Sequence, residues 1–125
     1  MFTIEPDERA ALLRLKLTGF WTPETVRAFV AALLPAVEQM QRRCPTYSIL
    51  SDSTEFPVQS PEVGEGFARI MVAGASRTRG RTAIVVSTML NQFQARRVFD
   101  SPNIRVFRER KEALAWLAET RADAA

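Results

Sequence analysis

Leu12-Leu13-Arg14-Leu15-Lys16-Leu17-Thr18-Gly19-Phe20-Trp21-Thr22-Pro23-Glu24-Thr25-Val26 is the stretch on which the fold turns. Leu13, Leu15 and Leu17 alternate with Leu12, Arg14 and Lys16, the period of a strand with one dry face and one mostly wet face. Thr18-Gly19 closes that strand. Thr22 is a good N-cap, Pro23 suits the first helical position, and Glu24 favours the positive end of a helix dipole. Apolar residues then fall at Val26, Phe29, Val30, Leu33, Leu34, Val37 and Met40. That i, i+3, i+4, i+7 stripe predicts a long helix lying on a core, with Pro35 inside it. Arg42 and Arg43 suit its negative end, and Pro45 stops it.

Working outward, residues 2–5 alternate briefly before Pro6-Asp7, which predicts an antiparallel hairpin with the leucine strand. Residues 47–52 read as the next strand, followed by a loop over 53–59 marked by Pro57. Ser60-Pro61 repeats the cap and proline signature ahead of a second stripe, Val63, Phe67, Ile70, Met71 and Gly74. Residues 82–87 contain Ala83-Ile84-Val85-Val86, apolar on both faces and therefore a central strand. Leu90, Phe93, Val98 and Phe99 predict a third helix, stopped by Asp100-Ser101-Pro102. A short strand over 103–107 and a helix over 112–120 complete the chain.

The order β-β-α-β-α-β-α-β-α predicts an α/β fold. Its sheet is mixed and five-stranded, with the first strand antiparallel at the edge, parallel strands after it and four main helices. Arg14, Lys16 and Arg105 each stand opposite apolar neighbours, which suits a sheet with its helices mostly on one side.

The totals agree with one domain over residues 1–125, with a polar, frayed tail over 119–125. Of the 125 residues, 46% are apolar and 25% charged, ordinary for a globular chain. Cys44 is the only cysteine, so no intrachain disulfide forms, and the expected location is the cytoplasm. The longest apolar run, residues 29–37, is interrupted by Pro35 and far shorter than the ~20 residues a bilayer requires. There is no histidine, which excludes Ser-His-Asp and Cys-His nucleophilic sites and histidine metal ligation. Neither a metal nor a cofactor is expected. The net charge of +3 is mild and rests almost wholly on arginine.

Three segments carry a family resemblance: Gly19-Phe20-Trp21-Thr22-Pro23-Glu24, the strand Tyr47-Ser48-Ile49-Leu50-Ser51-Asp52, and Arg105-Val106-Phe107 followed by Glu112-Ala113-Leu114-Ala115-Trp116-Leu117. In these segments and their order the chain resembles the SpoIIAA-like (STAS) family, including small bacterial STAS/SEC14-type proteins. The resemblance implies an open β-α superhelix and a regulatory or binding role. In that family's anti-sigma-factor antagonists it also implies a phosphorylated serine within Asp-Ser-Ser-Gly. The matching place here reads Asp52-Ser53-Thr54-Glu55, so Ser53 is the phosphorylation candidate, with glutamate in place of the glycine.

Candidate contact residues gather where predicted parallel strands end, the edge at which open sheets bind ligands. They are Trp21, Asp52, Ser53, Ser87 and Thr88, with Phe56 and Pro57 as a cover. Turn formation by Asp52 and Ser53, capping by Ser87-Thr88 and simple packing by Trp21 are the plainer readings. The apolar residues Leu90, Phe93 and Phe99 suggest a homodimer surface. The expected function is a non-catalytic module that binds a partner protein or a small apolar or anionic ligand. The alternatives are an enzyme with a cleft at the same edge and a weak nucleic-acid binder. Gly64-Glu65-Gly66 lacks the lysine and spacing of a phosphate-binding loop.

Overall fold

The computed structural model describes residues 1–88, 95 and 102–124. It holds five strands: β1 (Phe2–Asp7), β2 (Leu12–Thr18), β3 (Ser48–Glu55), β4 (Thr82–Val85) and β5 (Ile104–Phe107). Among the described residues there are three helices, α1 (Pro23–Arg43), α2 (Pro61–Ala75) and α3 (Arg110–Ala124). The fourth expected helix, with Leu90, Phe93 and Phe99, lies outside the described residues.

The strands form one sheet in the order β1-β2-β3-β4-β5. β1 runs antiparallel to β2, and all later neighbours are parallel. α1 starts as its sequence dictates: Thr22 accepts from the Thr25 N–H at 3.3 Å, and Pro23 opens the first turn. The backbone N–H of Glu24 and the Thr22 hydroxyl hold the Glu24 carboxyl below its usual pKa. Ser60 caps α2 the same way, accepting from the Val63 N–H at 3.3 Å.

α1 and α2 share one face of the sheet. Phe29, Leu33, Val37 and Met40 from α1 meet Val63, Phe67 and Met71 from α2 over Leu13, Leu15, Leu17, Ile49, Ile84 and Val106. α3 lies on the other face, where Ala113, Trp116 and Leu117 cover Leu50, Ala83, Val85 and Phe107. The expected one-sided arrangement is therefore corrected. A sheet that grows strand by strand through right-handed crossovers keeps its connecting helices on one side. α3 follows the last strand of the sheet, so no crossover fixes its side. Arg105, expected to mark a wet face, is stacked over the Trp116 ring at 5.0 Å, with Arg81 over the same ring at 4.8 Å. Guanidinium groups cover aromatic surface well, so a polar residue there does not mean an open face.

β3 is longer than its apolar run suggests. It continues through Glu55, with Thr18 of β2 opposite Glu55, so Ser53 and Thr54 lie in the strand and not in a loop.

The turn between α2 and β4 packs directly on the chain entering β3. The Thr78 hydroxyl donates to the Tyr47 carbonyl, and the Gly80 N–H donates to Thr78 Oγ1 at 3.0 Å. A Cβ at Gly80 would overlap the Tyr47 carbonyl oxygen and lie 2.6 Å from that of Thr46. Gly80→Ala is therefore expected to cost about 1–3 kcal/mol in urea denaturation. Gly74→Ala is the control: its added Cβ meets nothing within 4 Å, and it is expected to be neutral or stabilising.

Tyr47 is fully buried, and its hydroxyl has no hydrogen-bond partner among the described residues. Burial pushes the phenol above its usual pKa, opposed in part by Arg77. The unfolded chain then loses this proton first as pH rises, so stability falls above the phenol's ordinary pKa of about 10. Tyr47→Phe is expected to raise stability at neutral pH by about 1 kcal/mol and to flatten its fall between about pH 9 and 11. The chain has a single tyrosine, so the difference between the wild-type and Tyr47→Phe denaturation curves across that range reads this one phenol.

Candidate functional site

At the carboxyl ends of β3 and β4, on the face shared by α1 and α2, a cavity of about 300 Å³ opens between the sheet, α2 and the segment 56–60. Ser53, Ile84 and Val86 line it from the sheet, Gly64, Phe67 and Ala68 from α2, and Phe56 and Val58 from the segment. Glu65 and Gln59 supply further polar atoms, and Ala95 also lines it.

The local sequence makes the space. α2 presents Gly64 and Ala68 on the side facing the sheet, so side-chain volume is missing where a leucine stripe would fill it. Behind the cavity stands an aromatic cluster. The Trp21 ring lies 5.1 Å from Phe56, 5.2 Å from Phe29 and 6.1 Å from Phe67, mostly edge to face. The indole N–H donates to the Thr18 carbonyl at 3.0 Å.

Gln59 fastens the covering segment. Its Oε1 accepts from the Trp21 N–H at 2.8 Å, while its Nε2 donates to the Gly19 carbonyl at 3.0 Å and the Pro57 carbonyl at 2.7 Å. One amide thus ties the β3–α2 connection to the β2–α1 turn.

Ser53 is the polar group at the base. It is 4% exposed, and its hydroxyl lies 3.3 Å from that of Ser51. The expected cluster does not assemble as a whole. Successive strand residues point to opposite faces, so Asp52 leaves the cavity and lies beside Arg110 on the far side, 4.0 Å away. Trp21 is buried behind Phe56 and Phe67 and does not line the cavity. Ser87 and Thr88 are exposed just past β4 and are not among the residues that line it. Phe56 and Pro57 line the cavity. Gln59, Gly64 and Ala68 join the lining without being among the expected contact residues. Two small residues spaced i, i+4 beside the apolar stripe, Gly64 and Ala68, are the signal that marks the space.

No protein-family model matches the chain, and no curated protein matches it. Among solved structures it is similar to an uncharacterized protein of the DUF3478 family with a SpoIIAA-like fold from Shewanella loihica PV-4. The match has a TM-score of 0.70 and 22% identity, and covers 94% of this chain and 92% of that one. The protein therefore has a SpoIIAA-like fold. Among the described residues no helix is long and apolar enough to cross a membrane.

Gln59→Ala leaves one partly buried N–H and two carbonyls without this partner. It is expected to lower stability by about 1–2 kcal/mol and to speed amide exchange at Trp21 and residues 56–60 more than in β3. Uniform acceleration across the sheet would show that Gln59 supports the whole fold and not this segment alone.

Proposed function

We propose that the protein is a non-catalytic binding module that takes a small apolar ligand into the cavity between α2 and the carboxyl ends of β3 and β4. The observation that carries this reading is a buried serine hydroxyl at the base of an otherwise apolar cavity. Such a site is of ligand-binding size, and a few placed polar groups in an apolar wall fix a ligand's orientation. Apolar surface extends to the cavity's mouth, where Val58 is 56% exposed.

Two features favour binding over catalysis. Glu65 is the one carboxylate among the described lining residues, and the neighbour of the Ser53 hydroxyl is another hydroxyl. General acid–base work needs a titrating partner within reach of the nucleophile. A phosphoryl group on Ser53 would place its charge beside Phe67, Ala68 and Ile84, an unfavourable setting for an unpaired dianion. The Ser53 hydroxyl is accordingly assigned to the ligand's polar end.

A neutral apolar fluorophore such as N-phenylnaphthylamine tests the reading. The wild-type chain is expected to bind it saturably. Gly64→Leu should fill the cavity and abolish binding while leaving the thermal midpoint unchanged or raised, because glycine inside a helix costs about 0.5–1 kcal/mol. Ser53→Ala should weaken decanol severalfold, the worth of about 1 kcal/mol for one neutral hydrogen bond, and leave decane unchanged. Undiminished fluorophore binding by a folded Gly64→Leu chain would move the ligand elsewhere.

A further inference from the structure

The face opposite the cavity is only partly covered. α3 packs on β3, β4 and β5, and its apolar cluster reaches Leu12 of β2, leaving β1 and the rest of β2 open. Two adjoining hollows lie at the border, of about 140 Å³ and 230 Å³, and both include Leu50, Asp52 and Arg110. Arg14 and Lys16 line the first, and Arg108 lines the second above Leu50 and Val85. Arg14 and Lys16 of β2, Arg108 of the turn after β5 and Arg110 at the start of α3 thus border two adjoining hollows.

These cations are unequally neutralised. Arg14 is held by Asp7 at 2.7 Å, and Lys16 faces Glu55 at 3.6 Å. Arg110 reaches Asp52 Oδ2 only at 4.0 Å, and the other oxygen of that carboxylate accepts from the Thr54 N–H at 3.1 Å and hydroxyl at 2.6 Å. No carboxylate among the described residues lies within 4.0 Å of Arg108. Arg110 also sits in the first turn of α3, where the helix dipole disfavours a cation, so its placement does not serve the helix.

We propose that this face binds a small phosphomonoester. Its phosphoryl oxygens lie on the Arg108 and Arg110 guanidinium groups, and its organic part lies at the mouth of the hollow against Thr54, since Leu50 and Val85 at the back are only 2% exposed. Guanidinium groups bind phosphate in a forked, charge-assisted manner. Asp52 orients Arg110. With Glu5 in the neighbouring hollow, it also disfavours a polyanion, whose next phosphate would meet those carboxylates. A soluble ligand fits the small hollows better than a nucleic-acid backbone does. The site is separate from the apolar cavity and does not depend on it.

The test is an amide-detected NMR titration of the full chain at low salt with phenyl phosphate and with inorganic phosphate. Saturable shifts are expected at Leu50, Thr54 and residues 108–110, with phenyl phosphate the tighter of the two. Arg108→Ala, at an exposed position outside the strands, should weaken phenyl phosphate by about tenfold, and the double change with Arg110→Ala by more. Asp52→Asn should retain or tighten binding, and Gly64→Leu should leave it unchanged. The proposal is overturned if a folded Arg108→Ala chain binds as well as the wild type, or if phenyl phosphate shifts none of these amides. Retention on phosphatidic acid vesicles without a response to phenyl phosphate would overturn the soluble ligand. Tighter binding of oligonucleotides with increasing length would overturn the small one.

Discussion

β3 is hydrogen-bonded on both edges, to β2 and to β4, and the pleat of this one strand allots the chemistry of the molecule. Ile49, Ser51 and Ser53 face α1 and α2, while Leu50, Asp52 and Thr54 face the side of α3. A slip of one residue against either neighbour would exchange the two sets. It would put a carboxylate into the aromatic core and a hydroxyl into the basic hollow. The slip is opposed from both edges, where β3 is paired with β2 through Leu12–Lys16 and with the wholly buried β4.

The fixed register also explains why one sheet edge serves two chemically opposite surfaces. On one side small residues of α2 stand off from the sheet and leave apolar space. On the other a helix that no crossover constrains stops short of β1 and of β2 beyond Leu12, and charges fill the border. Both surfaces lie toward the carboxyl ends of the parallel strands, where backbone connections diverge and cannot pack tightly against each other.

Periodicity made the fold legible. The alternation of Leu13, Leu15 and Leu17, the stripe from Val26 to Met40, and the paired cap-and-proline starts at Thr22 and Ser60 each stand in the structure where their spacing places them. The side taken by α3 was not legible, since Arg105 looks solvent-facing until its stacking on Trp116 is known. The candidate site was legible at Ser53 and the Phe56-Pro57 cover. Asp52 and Ser53 do not group because the strand, whose apolar run ends at Asp52, continues through Glu55 and sends these neighbours to opposite faces. Gln59 gave no signal, because its three hydrogen bonds join segments 38 to 40 residues apart as well as its own loop.

The stacking of Arg81 and Arg105 on Trp116 bears on how the protein comes apart. α3 touches the sheet through a small apolar patch, and part of its attachment is electrostatic: Arg81 also donates to the Trp116 carbonyl at 2.8 Å and pairs with Glu119 at 2.9 Å. The opposite face is bonded by a much larger apolar cluster that salt does not weaken. The two faces therefore answer to different solvents. Raised ionic strength loosens the α3 seam while the larger core holds, so α3 is the natural first unit of partial unfolding. Its release would uncover Leu50, Val85 and Phe107, turning one side of a folded sheet into an adhesive surface.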